Sequence, residues 1–197
     1  MAEMALRDIE IRLCGSGGQG LLVAGAILAE ALTLEGLRVA QSQSYEPTSR
    51  GGMSRTDLVG SNGTIEFPLV TLLDCALILD DVAVAPTTGL VKQGGLVVVD
   101  RERVAQVPDG DFSLHSLALH GTATALGDAR VTNLVGLGAL AGLGALCGAA
   151  SLERAIRSTS PSRFVEPNLE AARAGRGLIE AAPRAGPLEI REGGRSP

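Results

Sequence analysis

The run Leu13-Cys14-Gly15-Ser16-Gly17-Gly18-Gln19-Gly20-Leu21 has the residue types of a phosphate-binding turn. Gly15, Gly17 and Gly20 match the spacing of the dinucleotide fingerprint, in which glycines permit a tight turn, close approach of backbone to phosphate and close packing of helix on strand. The amides that open a following helix would attract an anion whatever the nucleotide. A nicotinamide dinucleotide needs one thing more, an acid at the end of the second strand to hold the ribose hydroxyls. Ala40-Gln41-Ser42-Gln43-Ser44 occupies that place, and Glu46 comes late, in a loop. Two readings of the turn remain: an anion site, or a plain strand-to-helix turn.

The second chemistry-bearing stretch is Ser44-Tyr45-Glu46-Pro47-Thr48-Ser49-Arg50-Gly51-Gly52-Met53-Ser54-Arg55. Arg50 suits a phosphate or carboxylate through its planar fork, and Gly51-Gly52 let backbone approach a ligand or a partner chain. Loops leaving the carboxyl ends of adjacent strands converge, so this loop and the Gly15–Gly20 turn are expected to be neighbours. The remaining titratable residues are weaker. His115 and His120 lie five apart and share neither a helix face nor a strand face, which points to ordinary structural histidines. Asp80-Asp81 fits a strand-ending polar turn as well as a ligand role. Cys14 has no base near it in sequence and reads as a small buried hydrophobe. No catalytic residue and no metal site is assigned.

The elements that must position these residues read as α/β. Ile9, Ile11 and Leu13 alternate as a first strand; Gly20 to Glu35 is a buried helix closed by Gly36; Leu37 to Ser44 is a second strand, parallel to the first in a right-handed βαβ unit. Ser54 to Gly60 and Thr64 to Phe67 are expected to form a hairpin about Ser61-Asn62-Gly63, giving an antiparallel hairpin or edge strand. Cys75 to Leu79 and Leu96 to Asp100 are buried strands, with a helix from Val82 to Val91 between them and a further strand within Ser113 to His120. Asn133 is expected to cap an uncharged helix from Leu134 to Ala150, Ser151 to Ser158 continues helically, and Pro167 to Ala182 is expected as a last amphipathic helix capped near its start by Asn168. The uncharged helix approaches the ~20 residues of a membrane span, but its five glycines and the lack of basic flanks favour tight packing instead. The expected architecture is a Rossmann-like, mostly parallel sheet flanked by helices, as one domain over residues 1–182 with a loose tail over 183–197.

Composition excludes some functions. The 197 residues are 45% hydrophobic but only 2% aromatic, with no Trp and 26 Gly, so the core is aliphatic. A net charge of -5 and a single Tyr argue against nucleic acid, which needs clustered Lys/Arg and stacking platforms. Cys14, Cys75 and Cys147 are odd in number and far apart, which argues against disulfides, a zinc ribbon or an iron–sulfur cluster held by this chain alone. With no signal-like apolar run near Met1, a cytoplasmic setting is expected.

Taken together, Gly15-Ser16-Gly17-Gly18-Gln19-Gly20 followed by Gln43 to Arg55 resembles the gamma subunit, or gamma domain, of the 2-oxoacid:ferredoxin oxidoreductases that act on pyruvate, 2-ketoisovalerate, 2-oxoglutarate or indolepyruvate. The resemblance continues through Lys92-Gln93-Gly94-Gly95-Leu96-Val97-Val98-Val99-Asp100, the Asn133 helix and Glu166-Pro167-Asn168-Leu169-Glu170-Ala171, covering about residues 8 to 180. The family pattern has Gly where Glu46 stands and Glu where Thr48 stands. The resemblance implies a complex that oxidatively decarboxylates a 2-oxoacid to an acyl-CoA and reduces ferredoxin. Thiamine diphosphate and iron–sulfur clusters would then sit on partner alpha, beta and ferredoxin-like delta subunits. It also implies coenzyme A, rather than NAD, at a site formed by Gly15, Ser16, Gly17, Gly18, Gln19 and Gly20 with Ser44, Tyr45, Arg50, Gly51, Gly52 and Ser54. The competing readings are a free-standing NAD(P)-dependent oxidoreductase and a non-catalytic assembly subunit. Titrating the chain with NAD or NADP separates the first of these: the missing acid predicts no tight binding, and saturation at micromolar cofactor would restore the nicotinamide reading.

Overall fold

The computed structural model describes residues 8–46, 52–106 and 109–180. Six strands form one sheet: β1 (Asp8–Ser16), β2 (Arg38–Tyr45), β3 (Met53–Ser61), β4 (Leu73–Ile78), β5 (Val91–Asp100) and β6 (Ser113–Leu117), in the spatial order β2-β3-β1-β4-β5-β6. β1, β4, β5 and β6 are parallel, whereas β3 runs antiparallel to both β1 and β2. The helices are α1 (Leu21–Leu34), α2 (Ala85–Thr88), α3 (Leu119–Ala125), α4 (Thr132–Leu143), α5 (Ala149–Thr159) and α6 (Val165–Glu180). The mostly parallel α/β architecture expected from the sequence is therefore present.

Its wiring differs in one respect that matters. β1 and β2 are parallel through α1, but they do not touch, because β3 is inserted between them. The antiparallel hairpin exists, yet its arms are β2 and β3 joined around residues 46–52; Thr64 to Phe67 forms no strand. Ser54 to Gly60 alternates well enough for a strand and is too long and buried for an edge, with Thr56 through Ser61 inside the sheet.

The two faces of the sheet are covered unequally. Ile9, Ile11, Leu13, Leu77 and Val98 point to the face packed by α1, α4, α5 and α6, which holds the main aliphatic core. The other face presents Cys14, Ala76, Ile78, Val97 and Val99 to a thin cover made by a 3₁₀ turn at Asp81–Ala83, α2 and Val104. The long helix expected over Val82 to Val91 is thus only these two short pieces, since Pro86 sits in the first turn of α2 and β5 already begins at Val91.

A buried ion pair holds that thin side together. Arg12 on β1 lies directly opposite Asp57 on β3, and its guanidinium donates from Nε to Oδ1 at 2.7 Å and from Nη2 to Oδ2 at 2.8 Å. Arg12 is 2% exposed, and its third nitrogen reaches the Pro86 carbonyl of α2 at 3.3 Å. Burial opposes its charge, but the hydrogen bonds and charge of Asp57 prevail and its pKa is raised.

The uncharged stretch after Asn133 ends sooner than its composition suggests. α4 stops at Leu143, Ala145 takes a positive φ of 47°, and α5 starts afresh at Ala149. The small residues of α4 serve close packing within the chain: a Cβ at Gly138 would overlap the Ala172 backbone of α6, and one at Gly175 of α6 would overlap Val135. No helix among the described residues is long and apolar enough to cross a membrane. α6 begins at Val165, two residues before Pro167, and Asn168 is buried with its amide donating to Ser160 Oγ at 3.0 Å instead of capping the helix. Residues 181–197, where the loose tail was expected, lie outside the described residues.

Replacing Asp57 alone with Ala strands a buried guanidinium, which should cost about 3–5 kcal/mol in denaturant or thermal melts, while the double variant Arg12→Met/Asp57→Leu recovers most of it. A single-variant loss no larger than the 0–1 kcal/mol typical of an exposed pair such as Arg173–Glu153 would show that the ion pair holds nothing.

Candidate functional site

β1 delivers the glycine turn at the carboxyl edge of the sheet, where parallel α/β folds place ligands. Gly20 is the N-cap of α1 in the left-handed region, φ 70° and ψ 24°, a conformation costly for a residue with a Cβ. No side chain caps α1, so its leading amides are not satisfied that way. Gln19 folds back on the turn: its Oε1 accepts from the Ser16 amide at 2.8 Å and its Nε2 donates to the Leu79 carbonyl at 3.2 Å. A Cβ at Gly15 would overlap that amide. Gln19 thus shapes the turn, and its amide is engaged inside the chain.

The two sequence motifs do meet. The Gly17 amide donates to the Gly52 carbonyl at 3.0 Å, and a Cβ at Gly17 would come 2.9 Å from the Tyr45 ring. This is a direct product of the β1–β3 and β2–β3 registers, which pair Gly15 with Ser54, Ser16 with Met53, Ser44 with Arg55 and Tyr45 with Ser54. Tyr45 remains 61% exposed beside the turn. Arg50 and Gly51 lie outside the described residues.

On its other side the turn borders a cleft of about 330 Å³. Ser16, Gly17, Gly18 and Gln19 form one wall, and Arg103, His120, Ala129, Arg130 and Thr132 form the other. Arg103 follows β5 in a loop held by Asp81, whose Oδ1 accepts from the Ala105 amide at 2.8 Å and the Gln106 amide at 3.2 Å, while the Arg103 carbonyl accepts from the Asp81 amide. Asp80 accepts from the Val82 amide, so both aspartates organise this strand end. His120 is the second residue of α3, just after β6. The Thr132 hydroxyl donates to the Ala129 carbonyl at 2.7 Å, so toward His120 Nδ1, 3.4 Å away, it accepts, and Nδ1 carries the proton. Arg130 is exposed and gripped by Asp128, Nε to Oδ1 at 2.9 Å and Nη2 to Oδ2 at 2.8 Å; these hydrogen bonds hold Asp128 down to about 2.

Asn133 sits inside α4, not at its cap. Its Nδ2 donates to the Gly20 carbonyl at 2.8 Å, joining α4 to the start of α1. With Thr132 holding His120 and Asn133 holding Gly20, adjacent residues tie both walls of the cleft. His115, by contrast, stays on β6 with Ser113, and burial lowers its pKa. The five-residue spacing from His115, which shares no face with it, points to a structural role for His120, whereas the fold sets it in the cleft. The signal that would have found it, and Arg103, is the convergence of loops after parallel strands, applied to β5 and β6 as it was to the motif loop.

All three cysteines are buried and none is in a disulfide, and no group of three or more His, Cys, Asp or Glu converges among the described residues. NAD is also poorly served, since β3 separates the end of β2 from β1, where the ribose-binding acid belongs. Burial pushes the Cys14 thiol up to about 12, against the lowering effect of its Thr87 contact, and Cys147 to about 11. At pH 8 the thiolate fraction at Cys14 is then about 10⁻⁴, so neither residue should react with iodoacetamide in the native protein within an hour. Rapid labelling of Cys14 mapped by mass spectrometry would overturn its placement.

Three comparisons bear on what this arrangement is. The family model for pyruvate ferredoxin/flavodoxin oxidoreductase matches residues 10–178. The 2-oxoglutarate synthase subunit KorC of Methanothermobacter thermautotrophicus is 35% identical over 178 residues, covering 86% of this chain and 94% of that protein. The keto/oxoacid ferredoxin oxidoreductase gamma subunit from Geobacter sulfurreducens superposes with a TM-score of 0.80 at 36% identity, over 89% of this chain and 98% of its own. The fold also recurs, at 23% identity and a TM-score of 0.80 over 94% of this chain and 33% of the other, in the 2-oxoglutarate:ferredoxin oxidoreductase of Magnetococcus marinus, whose structure has 2-oxoglutarate, coenzyme A and succinyl-CoA bound.

Proposed function

Since the chain belongs to the pyruvate ferredoxin/flavodoxin oxidoreductase family, we propose that it is the gamma subunit of a 2-oxoacid:ferredoxin oxidoreductase, and that its glycine turn and Ser44–Arg55 loop hold coenzyme A. The observation that carries this is the Gly17–Gly52 hydrogen bond, which joins the two motifs beside a cleft with basic side chains. Of two relatives of comparable length, one is named 2-oxoglutarate synthase subunit KorC and the other a keto/oxoacid ferredoxin oxidoreductase gamma subunit, and a more distant protein of the same fold has coenzyme A bound.

On this reading the iron–sulfur clusters, and the thiamine diphosphate that supplies the decarboxylation chemistry, sit on alpha, beta and delta partners; that no group of three or more His, Cys, Asp or Glu converges among the described residues is consistent with it. This chain contributes anion-binding amides at the turn, basic side chains in the cleft, and the Tyr45 and Gly52 backbone that border them. Its exposed positions beside the turn, Leu22, Val23 and Tyr45, suit contact with a partner subunit. The described residues share one sheet, which supports a single gamma-type domain over residues 1–182.

Purification of the native complex should yield this chain with thiamine- and cluster-bearing subunits, and a chain that never associates with them refutes the reading. Within the assembled enzyme, calorimetry on Arg50→Ala should show roughly tenfold or greater weakening of coenzyme A binding, the cost of a charge-assisted hydrogen bond. Unchanged affinity and unchanged acyl-CoA formation would remove Arg50 from the site.

A further inference from the structure

β2 closes one side of the sheet, and among the described residues nothing pairs with its outer edge. Strands in that position are normally short, or broken by Pro, Lys or a bulge, because a row of open amides and carbonyls invites a second chain. The opposite edge follows that rule, since β6 has only the five residues Ser113–Leu117. β2 does not. It runs for eight residues in unbroken register with β3, and from Val39 to Tyr45 it holds no charge, Pro or Gly.

The hydrogen bonds fix which residues face outward. The Glu46 amide donates to the Met53 carbonyl at 3.0 Å, so Glu46 continues the ladder with β3. In an antiparallel pair, alternate residues exchange both bonds with one neighbour, and the residues between them face the other way. Arg38, Ala40, Ser42 and Ser44 therefore turn their main-chain groups to β3, and Val39, Gln41, Gln43 and Tyr45 turn theirs outward. An antiparallel strand can pair with this edge only by setting its own outward residues opposite these four.

β2 meets that condition with itself. About a two-fold axis through Ser42, Val39 falls opposite Tyr45 and Gln41 opposite Gln43, which gives about eight main-chain hydrogen bonds. The same register sets Arg38 opposite Glu46 at both ends of the ladder. Both residues are exposed, and neither is in an ion pair among the described residues. Moving the axis to Gln41 or Gln43 still opposes outward residues, but it places Glu46 against Gly36 or Ala40 and leaves the charges unmatched. Opposite charges and aromatic–β-branched neighbours are the cross-strand pairs that stabilise antiparallel sheets. Val39 already packs against the main core, and Tyr45 is 61% exposed, so the pairing sets an ordered aliphatic side chain beside an exposed ring.

We infer that two copies of this chain join through β2, antiparallel about Ser42, so that the six-stranded sheet of one copy continues into the other. The contact lies outside the cleft and stands whether or not this subunit holds coenzyme A. It brings Val39 of the second copy beside Tyr45, whose ring borders the turn at Gly17.

The test is sedimentation of the full chain from about 1 to 200 µM, the range suited to an interface built on one strand pair. The wild type should dimerise. Arg38→Glu and Glu46→Arg should each weaken the dimer roughly tenfold or more, because each sets like charges opposite one another at both ends. Mixing the two single variants should restore association as a heterodimer, and the double variant Arg38→Glu/Glu46→Arg should dimerise like the wild type; circular dichroism checks that each is folded. A non-hydrogen-bonded pair brings Cα atoms to about 4.5 Å, within disulfide reach. Ser42→Cys should therefore oxidise to a covalent dimer in the isolated chain and link two copies in the native complex, whereas Ala40→Cys, facing Ser44, should not. A wild type that stays monomeric, charge reversals that leave the dimer unchanged, or a mixture that stays dissociated overturns the inference. So does a native complex in which another subunit covers β2 and Ser42→Cys links no two copies.

Discussion

The Arg12–Asp57 pair is the contact on which the remainder of the site depends. Because it joins residues directly opposite across β1 and β3, a slip of one residue would turn one of the two charges onto the aliphatic face of the sheet. Buried ion pairs add little net stability over an apolar pair, but they penalise every arrangement that separates them. Here that penalty selects the register in which Ser16 meets Met53, and so in which Gly17 reaches Gly52. The same guanidinium also reaches α2, so one side chain sets the register and anchors the thin cover of the sheet.

A second constraint acts through α4. Thr132 and Asn133 at its start reach His120 and Gly20, elements more than a strand apart, and its glycines let α6 pack against it with backbones almost in contact. α4 is buried along nearly its whole length, so it cannot shift without opening the main core. The cleft is held from below by a rigid, uncharged helix, which suits a binding site whose walls come from separate loops.

Electrostatically the protein is acidic overall, yet its cleft sets arginine and histidine against the glycine turn. The acids near the cleft have definite tasks. Asp81 holds the Arg103 loop, Asp128 orients Arg130, and Asp100 lies beneath His120 with its pKa raised chiefly by burial. An anionic ligand would thus meet positive charge locally despite the net charge of -5.

Much of this was legible in the sequence. β1, α1 with Gly36 at its end, and the buried strands at Cys75–Leu79 and Leu96–Asp100 follow from periodicity and punctuation, which are local properties of the chain. The glycine turn and the Ser44–Arg55 loop were legible too, because their residue types are unusual over a short span. The place of β3 was not, since alternation states that a strand exists and says nothing about which strands it pairs with. Nor was the end of α4, where small apolar residues continue past the break at Ala145. Arg103, His120 and Arg130 stand in unremarkable polar surroundings, and only the parallel order of β1, β4, β5 and β6 brings the loops that carry them to the turn after β1. By itself, then, the sequence determined β1, α1, the two buried strands, the turn and its family, through short-range patterns of residue type. The tertiary structure alone decided which side chains face that turn, because long-range strand order, and not any local preference, governs where distant loops converge.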